Sequence, residues 1–373
     1  MAEVTPPPPP PATTAIEKHP CAACGAQAEW SPARQRLLCP FCGTESPYEI
    51  DRRTGEVGEI DLVKTLRELP EELRGWAAEK RSVRCQSCRA VSVFDAKRVG
   101  QRCEFCGSPE LLDYEEIRSP LRPLSLLPFK VSESGVRERL RDWYRRKWLA
   151  PRRLRTRAVL DRVRGAYLPY WTFDARARCR WTAESGTYYT TTESYRDSQG
   201  LRRQRRVRHV RWQNAAGEVE HFFDDQPVAA TVGVDRGLLR RVEPFPTQDL
   251  VSYDTAYLSG FVVEHYQVVL IDAVRESRKA MLKSLRRLCA EQVPGDTVRH
   301  LEVQPTYSGE TFKLILVPVW LLTYGYGGRS FKLLVNGYTG RIAGEYPKST
   351  WKILALALAA LAVLFALALL LSS

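Results

Sequence analysis

The sequence predicts an α+β protein built from two small four-cysteine zinc ribbons, a mixed α+β body and one C-terminal transmembrane helix. Three observations lead there. Eight of the ten cysteines fall into two sets of identical spacing. Between residues 119 and 347, helix-like and strand-like patterns follow one another twice. Near the end, Ile353–Leu371 is an apolar run of nineteen residues without charge, Gly or Pro. With 44% hydrophobic and 27% charged residues, the 373-residue chain has a globular balance. That excludes wholesale disorder and collagen-like or polytopic membrane classes.

Residues 1–20 carry Thr5 followed by Pro6 to Pro11 and no apolar stretch of a secretory signal, so they read as a disordered Pro-rich tail. Ribbon 1 is expected at 21–50, with Cys21-x2-Cys24, fourteen residues, then Cys39-x2-Cys42. A charged helical linker occupies 51–84, around Asp61 to Lys80. Ribbon 2 follows at 85–118, with Cys85-x2-Cys88, again fourteen residues, then Cys103-x2-Cys106. A CxxC turn supplies two soft ligands from one knuckle, and two knuckles complete the tetrahedron that Zn²⁺ prefers. Gly43 and Gly107 suit the positive φ that turns the chain beneath a metal, and Trp30 and Phe94 stand where a ring would cover each small core. All four corners are protein sulfur, so both sites read as structural rather than catalytic zinc, two ions per chain.

The α+β body spans 119–347. It opens with the linker Pro120–Pro128 and a helix near Ser132–Trp148. Strands are expected at 166–182, 186–196 and 204–213, a second helix at Ala273–Cys289, and further strands at 297–307, 311–324 and 329–336, the last closed by Asn336-Gly337. Leu168-Pro169-Tyr170-Trp171 is echoed by Val317-Pro318-Val319-Trp320, consistent either with a worn duplication of helix-then-strands units or with chance. In the first helix, Val136, Leu140, Trp143, Tyr144 and Trp148 share one arc, which suits packing on a sheet or lying on an anionic leaflet.

The run at 353–371 is about 28 Å long as a helix, close to a hydrocarbon core of about 30 Å. Lys348, Trp351 and Lys352 precede it and only Ser372 and Ser373 follow. By the positive-inside rule the N-terminal bulk is expected in the cytoplasm, with the helix as a single-pass tail anchor in the inner membrane. A reducing cytoplasm favours metal-bound over disulfide-bonded cysteines.

Lys+Arg 56 against Asp+Glu 43 gives a formal +13, which falls to about +9 if eight thiolates hold two Zn²⁺. Residues 137–164 and the run Arg202–Arg211 are strongly basic; a solvated face, an anionic lipid surface and a nucleic-acid backbone all fit them. Cys179 and Cys289 stand apart from the ligand sets and read as buried thiols, and His19, His209, His221, His265 and His300 form no catalytic pattern. Asp224-Asp225 and Glu264-His265 are the remaining acidic candidates, and a pocket converging on Asp224, Asp225 and Glu264 would revive an enzymatic reading. No phosphate-cradling loop, nucleophile elbow, kinase signature or Rossmann glycine pattern occurs, so the chain is read as no enzyme.

The segments Leu127-Pro128-Phe129-Lys130, Trp143 with Trp148 and Pro151, Gly165-Ala166-Tyr167-Leu168-Pro169-Tyr170-Trp171, Arg211-Trp212 and Phe223-Asp224-Asp225 form one recognisable series. It continues with Gly260-Phe261, Glu264-His265-Tyr266, Leu316-Val317-Pro318-Val319-Trp320 and Val335-Asn336-Gly337-Tyr338-Thr339-Gly340. With the paired cysteines, this series resembles a family of bacterial membrane-anchored double zinc-ribbon proteins often labelled primosomal or replication-restart helicase-like. The family pattern places a His after Lys313, where this chain has Leu314. The resemblance implies zinc ribbons, a cytoplasmic body, membrane helices and partners of the phage-shock and flotillin-like type. The expected function is therefore a non-enzymatic, tail-anchored membrane adaptor that recruits protein partners. The alternative is a membrane-tethered nucleic-acid-binding protein without its own ATPase.

Overall fold

The computed structural model describes residues 19–46, 59–68, 80–86, 89–95, 103, 111–113, 121–151, 163–196, 198, 201–327 and 329–372. Two strands, β1 (Glu29–Ser31) and β2 (Arg36–Leu38), form a hairpin in the first ribbon. Next come β3 (Ile60–Asp61) and α1 (Leu62–Glu68), then β4 (Lys80–Cys85), β5 (Val91–Asp95) and β6 (Leu111–Asp113), which make a separate three-stranded sheet. The body holds β7 (Ser125–Leu126), α2 (Glu133–Arg146), β8 (Arg164–Arg196), β9 (Arg202–Ala229) and α3 (Arg236–Val242). It continues with β10 (Val251–Ser252), β11 (Val262–Val263), α4 (Leu270–Gln292), β12 (Thr297–Tyr326), β13 (Arg329–Asn336), β14 (Ile342–Gly344) and α5 (Thr350–Ser372).

The expected mixed α+β body of repeated helix-then-strands units is corrected by one dominant, mostly antiparallel sheet that curls into half a barrel. Its frame is three strands of 33, 28 and 30 residues, β8, β9 and β12, each roughly 100 Å long. The expected strands divide β8 at 183–185 and β12 at 308–310. In the structure β12 absorbs the second of these as a register shift between Ser308 and Thr311, with Gly309 at positive φ, and a further shift between Arg299 and Glu302, with His300 at positive φ, falls inside the expected 297–307 run. The two x-Pro-x-Trp segments do not open separate units. They pair with each other, Leu316 opposite Pro169 and Pro318 opposite Tyr167.

Burial along β8 changes twice after Ala166, and each change has a physical cause. Ala166–Ala175 is buried on both faces. From Arg176 to Ser185 burial mostly alternates, because α4 covers only the odd-numbered face, where Ala175, Ala177, Cys179, Trp181 and Ala183 meet Val274, Met281, Leu285 and Cys289. Beyond Gly186 the third strand ends, since Thr297 of β12 pairs there, and β8 with β9 continues as a free two-stranded ribbon. Gly186 and Gly217 allow this sheet to carry indole rings: a Cβ at Gly217 would stand 2.5 Å from Trp181, and one at Gly186 would stand 2.8 Å from Trp212.

The Ser132 side chain caps α2, accepting from the Gly135 N–H at 3.2 Å. Most of its apolar arc settles on the body: Val136, Leu140 and Tyr144 are fully buried in a core shared with Tyr167, Trp320 and Tyr324, Trp143 packs against it, and Trp148, past the helix end, is exposed. At the other end of the chain the expectation is overturned. The helix α5 forms, but its side chains are described only through Leu364, a stretch of about 22 Å that includes Lys352. Among the described residues no helix is long and apolar enough to cross a membrane. The transmembrane helix at 353–371, the tail anchor, the membrane as partner and the inner-membrane localisation drawn from it are withdrawn on that finding. The foot of α5 is instead tied to the end of the α2 segment, where Ser349 N–H donates to Leu149 O at 2.8 Å and Lys352 Nζ donates to Ala150 O at 3.0 Å.

A candidate metal centre and two buried polar clusters

The first ribbon is built from two equivalent knuckles. In one, Gly25 N–H donates to Cys21 O at 2.9 Å and Cys21 N–H to Ala26 O at 2.6 Å; in the other, Gly43 N–H donates to Cys39 O at 3.0 Å and Cys39 N–H to Thr44 O at 3.0 Å. Gly25 and Gly43 stand at φ +71° and +73° with open space where a Cβ would be, so conformation alone selects glycine. The turns aim four sulfurs at one point. Cys21 Sγ lies 3.6 Å from Cys42 Sγ, Cys24 Sγ lies 3.5 Å from Cys39 Sγ, and all four lie within 4.8 Å of one another. A tetrahedral Zn²⁺ with Zn–S bonds of about 2.3 Å sets its sulfurs about 3.8 Å apart, so the cluster fits a metal ion.

Its electrostatics ask for a cation. Hydrogen bonds from the Thr44 hydroxyl and backbone pull the exposed Cys42 thiol down to about 6. Cys24 accepts from the Ala26 N–H, but the neighbouring Cys39 and Cys42 sulfurs outweigh that and push its thiol up to about 12. Four adjacent sulfurs cannot all ionise unless a positive charge sits among them.

Trp30 was expected to cover the ribbon's own core. It serves the body instead: buried, with its ring 4.5 Å from that of Tyr257 and its backbone N–H donating to Ser259 O at 3.0 Å. Gln35 Nε2 donates to Phe129 O at 2.8 Å, and Ser259 Oγ donates to Ala28 O at 2.6 Å. The ribbon therefore shares one core with the body, through Ala28, Trp30 and Leu37.

Of the second expected set, Cys85 and Cys103 are buried together in one apolar cluster, while Cys88 and Cys106 lie outside the described residues. The Cys85 turn repeats the first ribbon's hydrogen bonds: Arg89 N–H donates to Cys85 O at 2.9 Å and Cys85 N–H to Ala90 O at 2.9 Å. Arg89, at φ +63°, stands where Gly25 stands in the first knuckle. Gly107 lies outside the described residues, as do the side chain of Phe94, the tail at 1–18 and most of the 51–84 linker.

No family model matches this chain. It is similar to the uncharacterized protein YdjG of Bacillus subtilis (strain 168), 24% identical over 253 residues, which cover 65% of this chain and 68% of that protein. No solved structure matches.

Asp224, Asp225 and Glu264 do not converge. Asp224 is exposed, while Asp225 joins a cluster drawn from four strands or their flanks. Lys313 Nζ stands 2.8 Å from Asp225 Oδ1 and 3.6 Å from Glu59 Oε1, and Asp225 N–H donates to Asp174 Oδ1 at 2.5 Å. The Thr311 hydroxyl lies 2.7 Å from Glu59 Oε2 and 3.2 Å from Asp174 Oδ2. Burial, then the neighbouring Glu59 and Asp225, raise the Asp174 carboxyl to about 6. Burial lowers Lys313, but the surrounding carboxylates more than restore its charge and hold its pKa above the usual value. Asp174, Glu59 and Thr311 were missed by sequence reasoning. Lys313 between Phe312 and Leu314 was the available signal, since a cation in an apolar strand demands a buried anion.

Glu264 belongs to a different cluster. It is fully buried, lies 2.8 Å from the Thr231 hydroxyl through both oxygens, and accepts from Gln267 Nε2 at 2.9 Å. Burial pushes it up to about 8, so it is neutral at pH 7. Burial also lowers His265 to about 4. Cys179 and Cys289 do not stand alone: their sulfurs meet at 3.7 Å between β8 and α4, and burial raises the Cys289 thiol to about 12.

Proposed function

We propose that the chain is a non-enzymatic adaptor in which structural zinc ribbons clasp a long β scaffold that presents exposed sheet faces to protein partners. The observation that carries this reading is the docking of the four-cysteine ribbon: its sulfurs occupy all four corners, and Trp30 and Gln35 bind it to the body's core. A metal there holds a clasp shut and offers no position for substrate. The repeated knuckle at Cys85, with buried Cys103 beside it, supports a second zinc held by Cys85, Cys88, Cys103 and Cys106. The two carboxylate clusters suit a scaffold as well, since Glu264 is sealed by its own partners and Asp225 and Glu59 pair with Lys313 internally.

Metal analysis of the full chain tests this. Two zinc ions per chain are expected, with no turnover of ATP or ester and phosphate model substrates. A purified, folded protein without zinc would overturn the clasp. Turnover abolished by Asp174→Asn or Glu264→Gln in a folded variant would overturn the non-enzymatic reading.

A further inference from the structure

The free half of the β8–β9 hairpin has no core to cover. From Gly186 to Arg196 it extends about 33 Å past Thr297, the first residue of β12. Its residues 187–211 contain seven arginines against Glu193 and Asp197. Register decides where these charges point, because directly paired residues share a face. One face carries the pairs Tyr188–Val210, Thr190–Arg208, Thr192–Arg206, Ser194–Gln204 and Arg196–Arg202. Glu193 falls on the opposite face, with Arg205 and His209. The first face thus holds Arg196, Arg202, Arg206 and Arg208 without a carboxylate among its paired residues, and these four make no ion pair among the described residues.

The contrast with the proximal half is sharp. There the same face sets Arg178 against Glu218 and Glu220, and Arg299 against Glu184. Charge is balanced where three strands lie side by side and unbalanced where two project. Arg196 sits directly opposite Arg202, an arrangement that destabilises a strand pair. Folding does not call for it; an anionic partner would.

We propose that this face binds double-stranded nucleic acid, with Arg196, Arg202, Arg206 and Arg208 on backbone phosphates. Shape and chemistry favour that polyanion. A two-stranded ribbon with its side chains is about 10 Å wide and enters a major groove about 12 Å wide. The spacing from Arg202 to Arg206 to Arg208, about 13 and 7 Å along the strand, lays repeated positive charge along a regular anion. Thr190, Thr192, Ser194 and Gln204 add hydrogen-bonding groups between the arginines, and Arg208 is held over the Tyr188 ring at 4.2 Å. Val210 is the face's aliphatic residue, so it has little to insert into lipid. This inference is independent of the zinc sites and survives or fails without them.

The experiment is fluorescence anisotropy of the full chain with a labelled 20-base-pair DNA duplex between 50 and 200 mM salt. Four phosphate contacts give a slope of log K against log salt near −3.6. Arg206→Gln with Arg208→Gln is expected to weaken binding at least tenfold at 50 mM salt and to reduce the slope by about 1.8. Arg203→Gln with Arg205→Gln removes equal charge from the opposite face and is expected to change affinity less than threefold. Arg206→Lys with Arg208→Lys keeps the slope, and serves if the Gln pair misfolds. Absence of duplex binding at 50 mM salt overturns the proposal, as does equal loss from the two faces. Tighter binding to a single strand, or capture on phosphatidylglycerol vesicles or poly-glutamate that duplex does not displace, overturns it too.

Discussion

Replacing Trp30 by Ala separates the ribbon's docking from its metal. The indole is 4% exposed, lies 4.5 Å from the Tyr257 ring and reaches Phe129 O with Nε1 at 3.5 Å. Truncating a buried tryptophan loses its transfer free energy and leaves a cavity, together about 3–5 kcal/mol. The aromatic pair supplies about 0.5–1.5 kcal/mol of that, and the hydrogen bond is long enough to add little. Phe129 O keeps its bond from Gln35, so no carbonyl is stranded. The four cysteines are untouched, so bound zinc should stay constant. The assay is urea unfolding followed by far-ultraviolet circular dichroism, with zinc measured on the same sample. Trp30→Ala should lower the unfolding free energy by about 3–5 kcal/mol at unchanged metal content, and Trp30→Phe should restore most of it. A Trp30→Ala protein within about 0.5 kcal/mol of the parent would show that the ribbon is an appendage and refute the shared core. Loss of zinc in the folded variant would show that docking and metal binding cannot be separated.

Other expectations follow from the same geometry. Cys39→Ser should remove one zinc per chain and make residues 19–46 the first site of protease cleavage, which zinc analysis and digestion would check. Glu264 has its pKa raised from 4.5 to about 8, chiefly by burial. The folded state therefore holds a proton that the unfolded chain releases, and stability falls by about 1.4 kcal/mol per pH unit between those values before levelling off. Glu264→Gln should remove that decline, gaining roughly 3 kcal/mol on the parent between pH 5 and pH 7.5; parallel stability curves would contradict it. Gly217→Ala places a Cβ 2.5 Å from the Trp181 ring and should lower the unfolding free energy by about 1–3 kcal/mol, read from the urea midpoint.

By itself the sequence determined the features that depend on near neighbours. Both cysteine pairs of the first ribbon are local knuckles closed by bonds across four or five residues, so spacing and Gly43 were enough to place Cys21, Cys24, Cys39 and Cys42 together. Helix α2 was legible from its apolar arc, and much of β8, β12 and β13 as extended runs, whereas β9 beyond residue 213 was not expected. The sequence misled where a pattern has more than one solution. The stretch around Gly309 was left between two strands but is absorbed as a bulge in one 30-residue strand, and apolar length near the C-terminus was taken for a membrane span.

Only the tertiary structure decided what pairing across long separations decides. Lys313 meets Asp225 because the three long strands align in one register, and Glu59 because β3 pairs with β12, and no local pattern encodes a partner some 90 or 250 residues away. The same register sorts the arginines of Arg202–Arg211 onto two faces, leaving one without a carboxylate partner, and a slip of one residue would exchange them. Trp30 looked like a ribbon residue until the body's Phe129, Tyr257 and Ser259 closed over it. Ligand geometry is set by the chain's short reach, whereas burial and charge balance belong to whichever surfaces the sheet brings together.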